Sequence, residues 1–180
     1  QASLATVARP FVEALSLKVG ENIHLAQMDA GQVIFVDKLK AADRFETMAQ
    51  TGVVAPAFCT GVGKAILANM TPERRDRALE QQAFLAYTPN THTETGTLLE
   101  ELEAIRAEGV AFDREEHEAG IISIAAPIVT QGGRTIGALS IAASTNRQTL
   151  DSIRAFRADL LATARQIGDE ATNWQFPTVT

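Results

Sequence analysis

The sequence predicts an α+β domain with a mostly antiparallel sheet flanked by helices, and two strand pairs carry this prediction. Two apolar runs rich in β-branched residues, 121–130 and 135–143, flank Gln131-Gly132-Gly133-Arg134, and paired glycines supply the positive φ angles of a tight hairpin turn. A second pair of strand-like runs, around 23–25 and over 32–39, is joined by Asp29-Ala30-Gly31. The helical patterns come in blocks between and after these hairpins, which is typical of the α+β class.

Composition bounds the class of protein. The chain has 180 residues, 46% hydrophobic and 21% charged, with a formal net charge of −6, so we expect one folded domain with a sizeable core. An acidic balance disfavours direct contact with nucleic acid. Cys59 is the single cysteine and can form no internal disulfide, which indicates a reducing compartment. No apolar run reaches the roughly 18 residues of a membrane span, so we expect a soluble, cytoplasmic protein.

The N-terminal segment has helical periodicity but contains a proline. Apolar residues recur at helical spacing from Leu4 to Leu15, and Pro10 lies among them. Because proline removes a backbone donor, we expect one helix to yield to another there. The predicted division is therefore a linker-helix end at 1–10, a domain at 11–170 and a tail at 171–180. The first residue is Gln and the pattern is already running, so we expect a piece of a longer protein.

The middle of the chain mixes irregular and helical segments. From Lys40 to Thr60 the periodicity lapses, which indicates a long irregular segment or a broken strand, and long loops are often functional. A helix is predicted to begin at Gly61, and another at Thr71-Pro72, where proline occupies the first helical position. The segment 81–95 is polar and turn-rich.

Two further helices are predicted in the second half. Thr97-Leu98-Leu99-Glu100 has the pattern of a capping box, and Gly109 is expected to end the helix that follows it. Beyond Arg147, apolar residues at helical spacing predict a single closing amphipathic helix. Those residues are Leu150, Ile153, Phe156, Leu160, Leu161, Ala164 and Ile167.

Small and polar side chains recur on one face of the predicted 121–143 hairpin. Successive strand residues point to opposite faces, so Ser140 and Ala142 share a face with Ala138, while Ser123 shares one with Ala125. This face either borders a cavity or receives a closely packed helix, and the pattern alone leaves both interpretations open.

Gly61-Val62-Gly63-Lys64 invites a phosphate-loop interpretation, which the flanking residues exclude. Phe58 and Ala65 stand where that motif needs glycine and a hydroxyl residue, and Ile66 replaces the third glycine of a dinucleotide fingerprint. The remaining possibility is a glycine-rich helix N-terminus whose amides bind a carboxylate. The alternative is that these glycines only allow tight packing.

Catalytic and metal motifs are weak throughout the chain. His24, His92 and His117 have no ligand spacing to one another or to Cys59, so no metal and no cofactor is predicted. No serine stands in a nucleophile elbow. The charge run 113–118 is expected to be a solvated face, and a lone cysteine with apolar neighbours is more often an inert core residue than a redox thiol.

Four segments together resemble the effector-binding domain of IclR-type bacterial transcription regulators. They are T-G-V-G-K-A-I-L-A, A-I-R-A-E-G-V-A-F-D-R-E-E-H-E-A-G, I-A-A-P-I and I-G-A-L-S-I, in the expected order. The resemblance implies a GAF-like fold that binds a small metabolite, forms a homodimer or homotetramer, and changes the operator affinity of an N-terminal winged helix-turn-helix that this sequence lacks. No enzymatic activity is implied.

The resemblance also implies an effector site. Two backbone amides map onto Gly61 and Val62, an acidic ligand residue onto Asp113, and further contacts onto Ser123, Ser140 and Ala142. Ala142 lacks the hydroxyl, and Ser123 replaces the thiol, that binders of small acids carry there. We therefore expect a roomier, less polar pocket than one for a two- or three-carbon acid.

The chemistry of these residues indicates a hydroxylated organic acid, either a sugar acid or an aromatic hydroxy-acid. The ligand carboxylate would lie at the helix amides, and an ionised Asp113 would accept a hydrogen bond from a hydroxyl. The segment 40–60 is a candidate lid and the N-terminal helix a candidate lever, with repressor and activator equally open. Two alternatives are a GAF-like enzyme such as a methionine-sulfoxide reductase, and a dimerisation module without ligand.

Overall fold

The computed structural model describes residues 3–41 and 51–174. In chain order, the helices and strands of these residues are α1 (Leu4–Val19), β1 (Asn22–Asp29), β2 (Gln32–Leu39), β3 (Val54–Pro56), α2 (Gly61–Ala68), α3 (Pro72–Glu80), α4 (Thr95–Glu108), β4 (Ala111–Arg114), β5 (Ile121–Val129), β6 (Thr135–Ser144), α5 (Leu150–Arg154) and α6 (Arg157–Ala171). The α+β prediction is confirmed.

One six-stranded antiparallel sheet organises the domain, with strand order β3-β2-β1-β6-β5-β4. Both predicted hairpins are present, β1–β2 and β5–β6. Of the two glycines in the second turn, Gly133 takes the positive φ, at 87°. Strands β1 and β6 pair at the centre and join the two hairpins into one surface.

Helices cover both faces of the sheet and form two hydrophobic clusters. The first cluster packs α1, α5 and α6 against large residues such as Ile124, Leu139 and Ile141. The second packs α2, α3 and α4 against the small residues of the opposite face, including Ala125 and Ala138. Because successive side chains of β5 and β6 point to opposite faces, the large side chains lie on one face and the small ones leave room for α2 on the other.

Helix α1 passes through Pro10 without a break, so the predicted change of helix at that residue is wrong. Buried residues on both sides of the proline, including Val7 and Val12, belong to one cluster with the sheet and α6. Packing on both sides outweighs the roughly 3 kcal/mol that an interior proline costs. The division at 1–10, 11–170 and 171–180 stays a prediction.

Two other predicted helix boundaries are wrong. Helix α4 begins at Thr95, with Glu94 at its N-cap, and the Thr97 hydroxyl donates to the Glu94 carbonyl (3.4 Å) instead of capping the helix. The closing helix is two helices. They are separated at residues 155–156 by tighter i→i−3 hydrogen bonds, and a true capping box at Thr149 starts the first.

The segment from Lys40 to Thr60 contains the edge strand β3, which pairs with β2. The broken-strand interpretation therefore holds for its second half. The lid prediction falls largely on residues 42–50, which lie outside the described residues. Across 3–41 and 51–174, no helix combines the length and apolar character needed to cross a bilayer.

Candidate functional site

The N-terminus of α2 is built to present backbone amides. Thr60 is the N-cap in an extended conformation, and its hydroxyl accepts from the Gly63 amide (3.2 Å) while donating to the Pro56 carbonyl (2.9 Å). The Gly61 and Val62 amides belong to the first turn, where an α-helix offers its own amides no acceptor. This end of α2 is therefore a site where negative charge is favoured.

A row of three residues crosses the sheet beneath that helix end. Asp113 on β4 pairs with Ser123 on β5, and Ser123 pairs with Ala142 on β6. Ser140 lies one row along, beside His24 of β1. A methyl group added at Gly61 would lie 2.6 Å from the Ser123 hydroxyl oxygen, so the absence of a side chain there lets α2 approach the row.

These residues enclose a cavity of about 270 Å³. Its lining contains all six residues of the predicted effector site, namely Gly61, Val62, Asp113, Ser123, Ser140 and Ala142. The volume is slightly below the roughly 300–1,000 Å³ range of ligand pockets, which suits a small molecule. The small-residue face thus borders a cavity at Ser123, Ser140 and Ala142, and receives α2 at Ala125 and Ala138.

Asp113 is buried at 7% exposure, and its Oδ1 accepts a hydrogen bond from the Glu116 amide at 2.8 Å. The pKa of Asp113 is raised to about 7, chiefly by burial and in smaller part by the Glu116 and Glu118 carboxylates, while the hydrogen bond from the Glu116 amide and the charge of Lys64 act to lower it. The accepting role expected for an ionised Asp113 therefore applies to only one of its two protonation states. Near neutral pH the group is present in both forms, and its protonated form donates.

The charge run 113–118 is only partly a solvated face, which corrects the sequence expectation, because Asp113 and Glu116 are buried. Glu116 is 2% exposed and Lys64 is fully buried. The Lys64 ammonium donates to Glu101 Oε2 (2.5 Å), Glu116 Oε2 (2.7 Å) and the Phe112 carbonyl (2.7 Å). A buried ammonium is tolerated because carboxylates and hydrogen bonds compensate its lost hydration. A lysine inside the apolar run G-V-G-K-A-I-L-A was the signal for this cluster.

Aromatic side chains form part of the cavity wall, and the sequence reasoning did not assign them to the site. His24 is 2% exposed and contacts Phe35 edge-on, with ring centroids 5.6 Å apart. His117 contacts Tyr87 edge-on at 4.9 Å, and burial lowers the pKa of His117, which favours the neutral imidazole. Ala26 packs on the small-residue face of the sheet. His24 lies two residues before it on the same strand, so the alternation of side chains could have predicted that His24 lies on this face as well.

Among the described residues, the ligand atoms of His92, Glu101 and Glu116 lie within 4.8 Å of one another, as metal ligands do. The Lys64 ammonium is hydrogen-bonded to both carboxylates, so a positive charge already compensates this group. The arrangement fits an ion-pair cluster better than a metal site. Cys59 is buried, and burial raises its pKa, so the thiol is poorly suited to nucleophilic chemistry.

A larger cavity of about 520 Å³ lies at the opposite end of α2. This arginine-lined groove includes Arg74, Arg77 and Arg134, all three of which are exposed. None of the six predicted site residues lines it. Size alone would favour this groove, but buried polar groups converge only in the smaller of the two cavities, so we take the smaller one as the candidate site.

The comparisons with known proteins agree with this architecture. The family model described as "Bacterial transcriptional regulator IclR C-terminal" matches residues 1–169. The chain belongs to the IclR family. It is the effector-binding domain of such a regulator, with the GAF-like fold of the family, and its relatives are transcriptional regulators and not enzymes.

Three relatives illustrate the similarity within the IclR family. The DNA-binding transcriptional repressor YiaJ of Escherichia coli K12 is 33% identical over 167 residues, which are 91% of this chain and 59% of YiaJ. A transcriptional regulator from Rhodococcus sp. RHA1 superposes with a TM-score of 0.90 at 29% identity, over 96% of this chain and 70% of that one. The inducer-binding domain of a PobR double mutant from Acinetobacter, in complex with 3-hydroxybenzoic acid, gives 0.85 at 29% identity, over 93% and 99%. The chain spans about half the length of the curated relatives it matches.

Proposed function

We propose that this domain senses a small aromatic hydroxy-acid and that the bound acid changes the operator affinity of the regulator that carries the domain. One observation carries the proposal. The amide end of α2 and the Asp113 carboxyl lie in the lining of the same 270 Å³ cavity. These two groups favour opposite ends of a single ligand, one anionic and one hydroxylic.

The ligand carboxylate is proposed to bind the Gly61 and Val62 amides. The partial positive charge of the helix N-terminus stabilises an anion there. The ligand hydroxyl is proposed to face Asp113, which accepts from it when ionised and donates to it when protonated, with Ser140 as a further partner. Ser123 and Ala142 complete the contacts.

The wall chemistry favours an aromatic acid over a sugar acid. Phe35 and the neutral His117 give the cavity flat, largely apolar surfaces, which a ring fills better than a chain of hydroxyl groups. Ala142 offers a methyl group where a hydroxyl would hold a very small acid. The 3-hydroxybenzoic acid bound by the PobR domain is of the proposed size and class.

Regulation is proposed to require the whole protein, including a DNA-binding domain besides this one. We expect a homodimer or homotetramer that contacts operator DNA through an N-terminal winged helix-turn-helix. Helix α1 packs on both the sheet and α6, so it is the proposed lever between pocket and DNA. The ligand must bind two states of the domain unequally for this to work.

The two alternative functions gain no support from the site. A methionine-sulfoxide reductase requires a reactive cysteine, whereas Cys59 is buried and its pKa is raised. A dimerisation module without ligand would have a closed core, whereas this core has a cavity lined by Asp113, Ser123 and Ser140.

Calorimetric titration with matched ligands tests the proposal. The ligands are 3-hydroxybenzoate, benzoate, which lacks the hydroxyl, 3-hydroxybenzyl alcohol, which lacks the charge, and glycolate, which lacks the ring. We expect 3-hydroxybenzoate to bind best, and Asp113→Ala to weaken it by about 1.5–3 kcal/mol. Asp76→Ala, at an exposed carboxylate on α3, is the control. The proposal is wrong if the neutral alcohol binds as well as the acid, or if Asp113→Ala leaves the affinity unchanged.

A further inference from the structure

Lys64 joins three parts of the chain at one buried point. It lies three residues beyond Gly61 on α2, and its ammonium contacts Glu101 of α4, Glu116 of the loop after β4, and the Phe112 carbonyl of β4. An ammonium has three donors, and these three partners use all of them. Helix α2, whose N-terminal amides line the cavity, is therefore also hydrogen-bonded to β4, the strand that carries Asp113.

Glu116 connects the Lys64 hydrogen bonds to the Asp113 side chain. Its carboxylate accepts from Lys64 (2.7 Å) and from the Arg114 amide (3.0 Å), and its own amide donates to Asp113 Oδ1 (2.8 Å). The preceding residue, Glu115, has a positive φ of 57°, a strained conformation for a non-glycine residue. The Thr91 hydroxyl closes the turn by donating to the Glu116 carbonyl (2.5 Å).

We infer that the Lys64–Glu116 pair is a positioning device for the effector site, which holds the Asp113 carboxyl in place relative to the amide end of α2. This inference rests on the proposed function, because Asp113 matters to an effector only if the acid binds beside it. Lys64 and Glu116 touch no ligand in this account. They act through Asp113.

Charged groups from two elements act on the Asp113 carboxyl, and Glu116 is one of them. Glu116 and Glu118 add negative charge from the loop after β4, and Lys64 adds positive charge from α2. Within residues 3–41 and 51–174, the other titratable groups around the cavity are His117 on the same loop, His24 on β1 and Cys59 before α2. Of the two carboxylates, Glu116 raises the pKa of Asp113 more than Glu118 does.

A purely structural role for the cluster is the competing interpretation, and Glu101 separates the two. Glu101 also accepts from Lys64, and its other partners are His92 (2.7 Å) and, at 3.7 Å, the Arg114 guanidinium. Glu101→Gln and Glu116→Gln each leave Lys64 with one carboxylate. A structural role predicts that the two variants behave alike, whereas a positioning role predicts an effect on Asp113 from Glu116→Gln alone.

The first measurement needs no ligand. The carboxyl of Asp113 is titrated by carbon-detected NMR in the wild-type chain and in both variants. Removing a neighbouring negative charge favours ionisation, so Glu116→Gln is expected to lower the titration midpoint by about one pH unit, with Glu101→Gln close to wild type. Equal midpoints in the two variants overturn the inference.

The second measurement uses 3-hydroxybenzoate and calorimetry between pH 5.5 and 8.5. In Glu116→Gln, the pH at which the affinity changes is expected to move with the Asp113 titration midpoint measured by NMR. In Glu101→Gln, that pH is expected to be the same as in the wild type. If Glu116→Gln does not fold, Thr91→Val loosens the same turn without touching the charges, with Thr163→Val on α6 as its control. We then expect about tenfold weaker binding in Thr91→Val alone, and unchanged binding overturns the inference.

The two measurements distinguish the inference from the proposed function. If Glu116→Gln alone shifts the Asp113 titration but no acid binds the wild type, the link from Glu116 to Asp113 stands and the proposed function fails. If the acid binds and Asp113→Ala weakens it, but Glu116→Gln and Glu101→Gln act alike, the function stands and the inference is overturned.

Discussion

Replacing Asp113 with asparagine is expected to stabilise the domain at neutral pH while it weakens effector binding. The asparagine side chain keeps an oxygen that accepts from the Glu116 amide, so the hydrogen bond at 2.8 Å is retained. The substitution removes a carboxyl whose ionised form is poorly solvated and faces the Glu116 and Glu118 carboxylates. A binding residue that lowers the stability of its own fold is a common cost of function.

The magnitude follows from the Asp113 pKa, which burial raises from its usual 3.8 to about 7. Each tenfold change in proton affinity is worth about 1.4 kcal/mol, so the ionised form is disfavoured on the order of 4 kcal/mol. The pKa of Asp113 is higher in the folded than in the unfolded state. The stability that its protonated carboxyl allows is therefore fully present below pH 3.8 and is lost as pH rises through about 7. We expect Asp113→Asn to exceed wild type by about 2–4 kcal/mol at pH 8 and to match it near pH 4.

Urea unfolding at pH values from 4 to 8 measures this difference. The lowered pKa of His117 acts in the opposite direction, since the unfolded imidazole gains a proton more readily as pH falls. Subtracting the wild-type curve from that of the variant cancels this effect. Asp76→Asn controls for the loss of an exposed carboxylate. Parallel curves for wild type and Asp113→Asn across the pH range would refute the reasoning.

Three further predictions concern Gly63 in α2, Gly96 in α4 and the buried Cys59 thiol. A methyl group added at Gly63 would lie 2.2 Å from the Ala57 carbonyl oxygen, so Gly63→Ala is expected to destabilise the domain by about 3 kcal/mol in urea unfolding. A methyl group added at Gly96 in α4 meets nothing within 4 Å. In the same assay, Gly96→Ala is therefore expected to raise the free energy of unfolding by about 0.5–1 kcal/mol. The Cys59 thiol is buried with a raised pKa, so a thiol reagent should react with it only at the rate of unfolding, and rapid labelling of the native domain would contradict its placement.

The fold was largely predictable from the sequence because local signals and packing agree in most of it. Both hairpins carry their own turn residues, and α2 and α3 carry their own start signals. The errors lie where a local sequence rule does not decide the backbone. Pro10 predicts a helix break, but buried residues on both sides hold α1 together. The apolar spacing after Arg147 is continuous, although the backbone tightens and divides the helix at 155–156.

The grouping of the candidate site residues was predictable from the sequence, whereas their electrostatics were not. The resemblance named six residues, and they lie in the lining of one cavity, although their role in binding stays a prediction. Burial of Asp113 and Glu116 was not visible, because a run of charged residues gives no indication of which side chain turns inward. The apolar run around Lys64 indicates a buried charge, but its partners Glu101 and Glu116 lie 37 and 52 positions away, and no local pattern identifies partners at that distance.

A crystal structure of the domain with 3-hydroxybenzoate tests the central claim most directly. We predict the ligand carboxylate within about 2.7–3.2 Å of the Gly61 and Val62 amides, with its hydroxyl directed at Asp113. Occupancy of the arginine-lined groove at the other end of α2, or a reversed ligand with its carboxylate beside Asp113, would contradict the account.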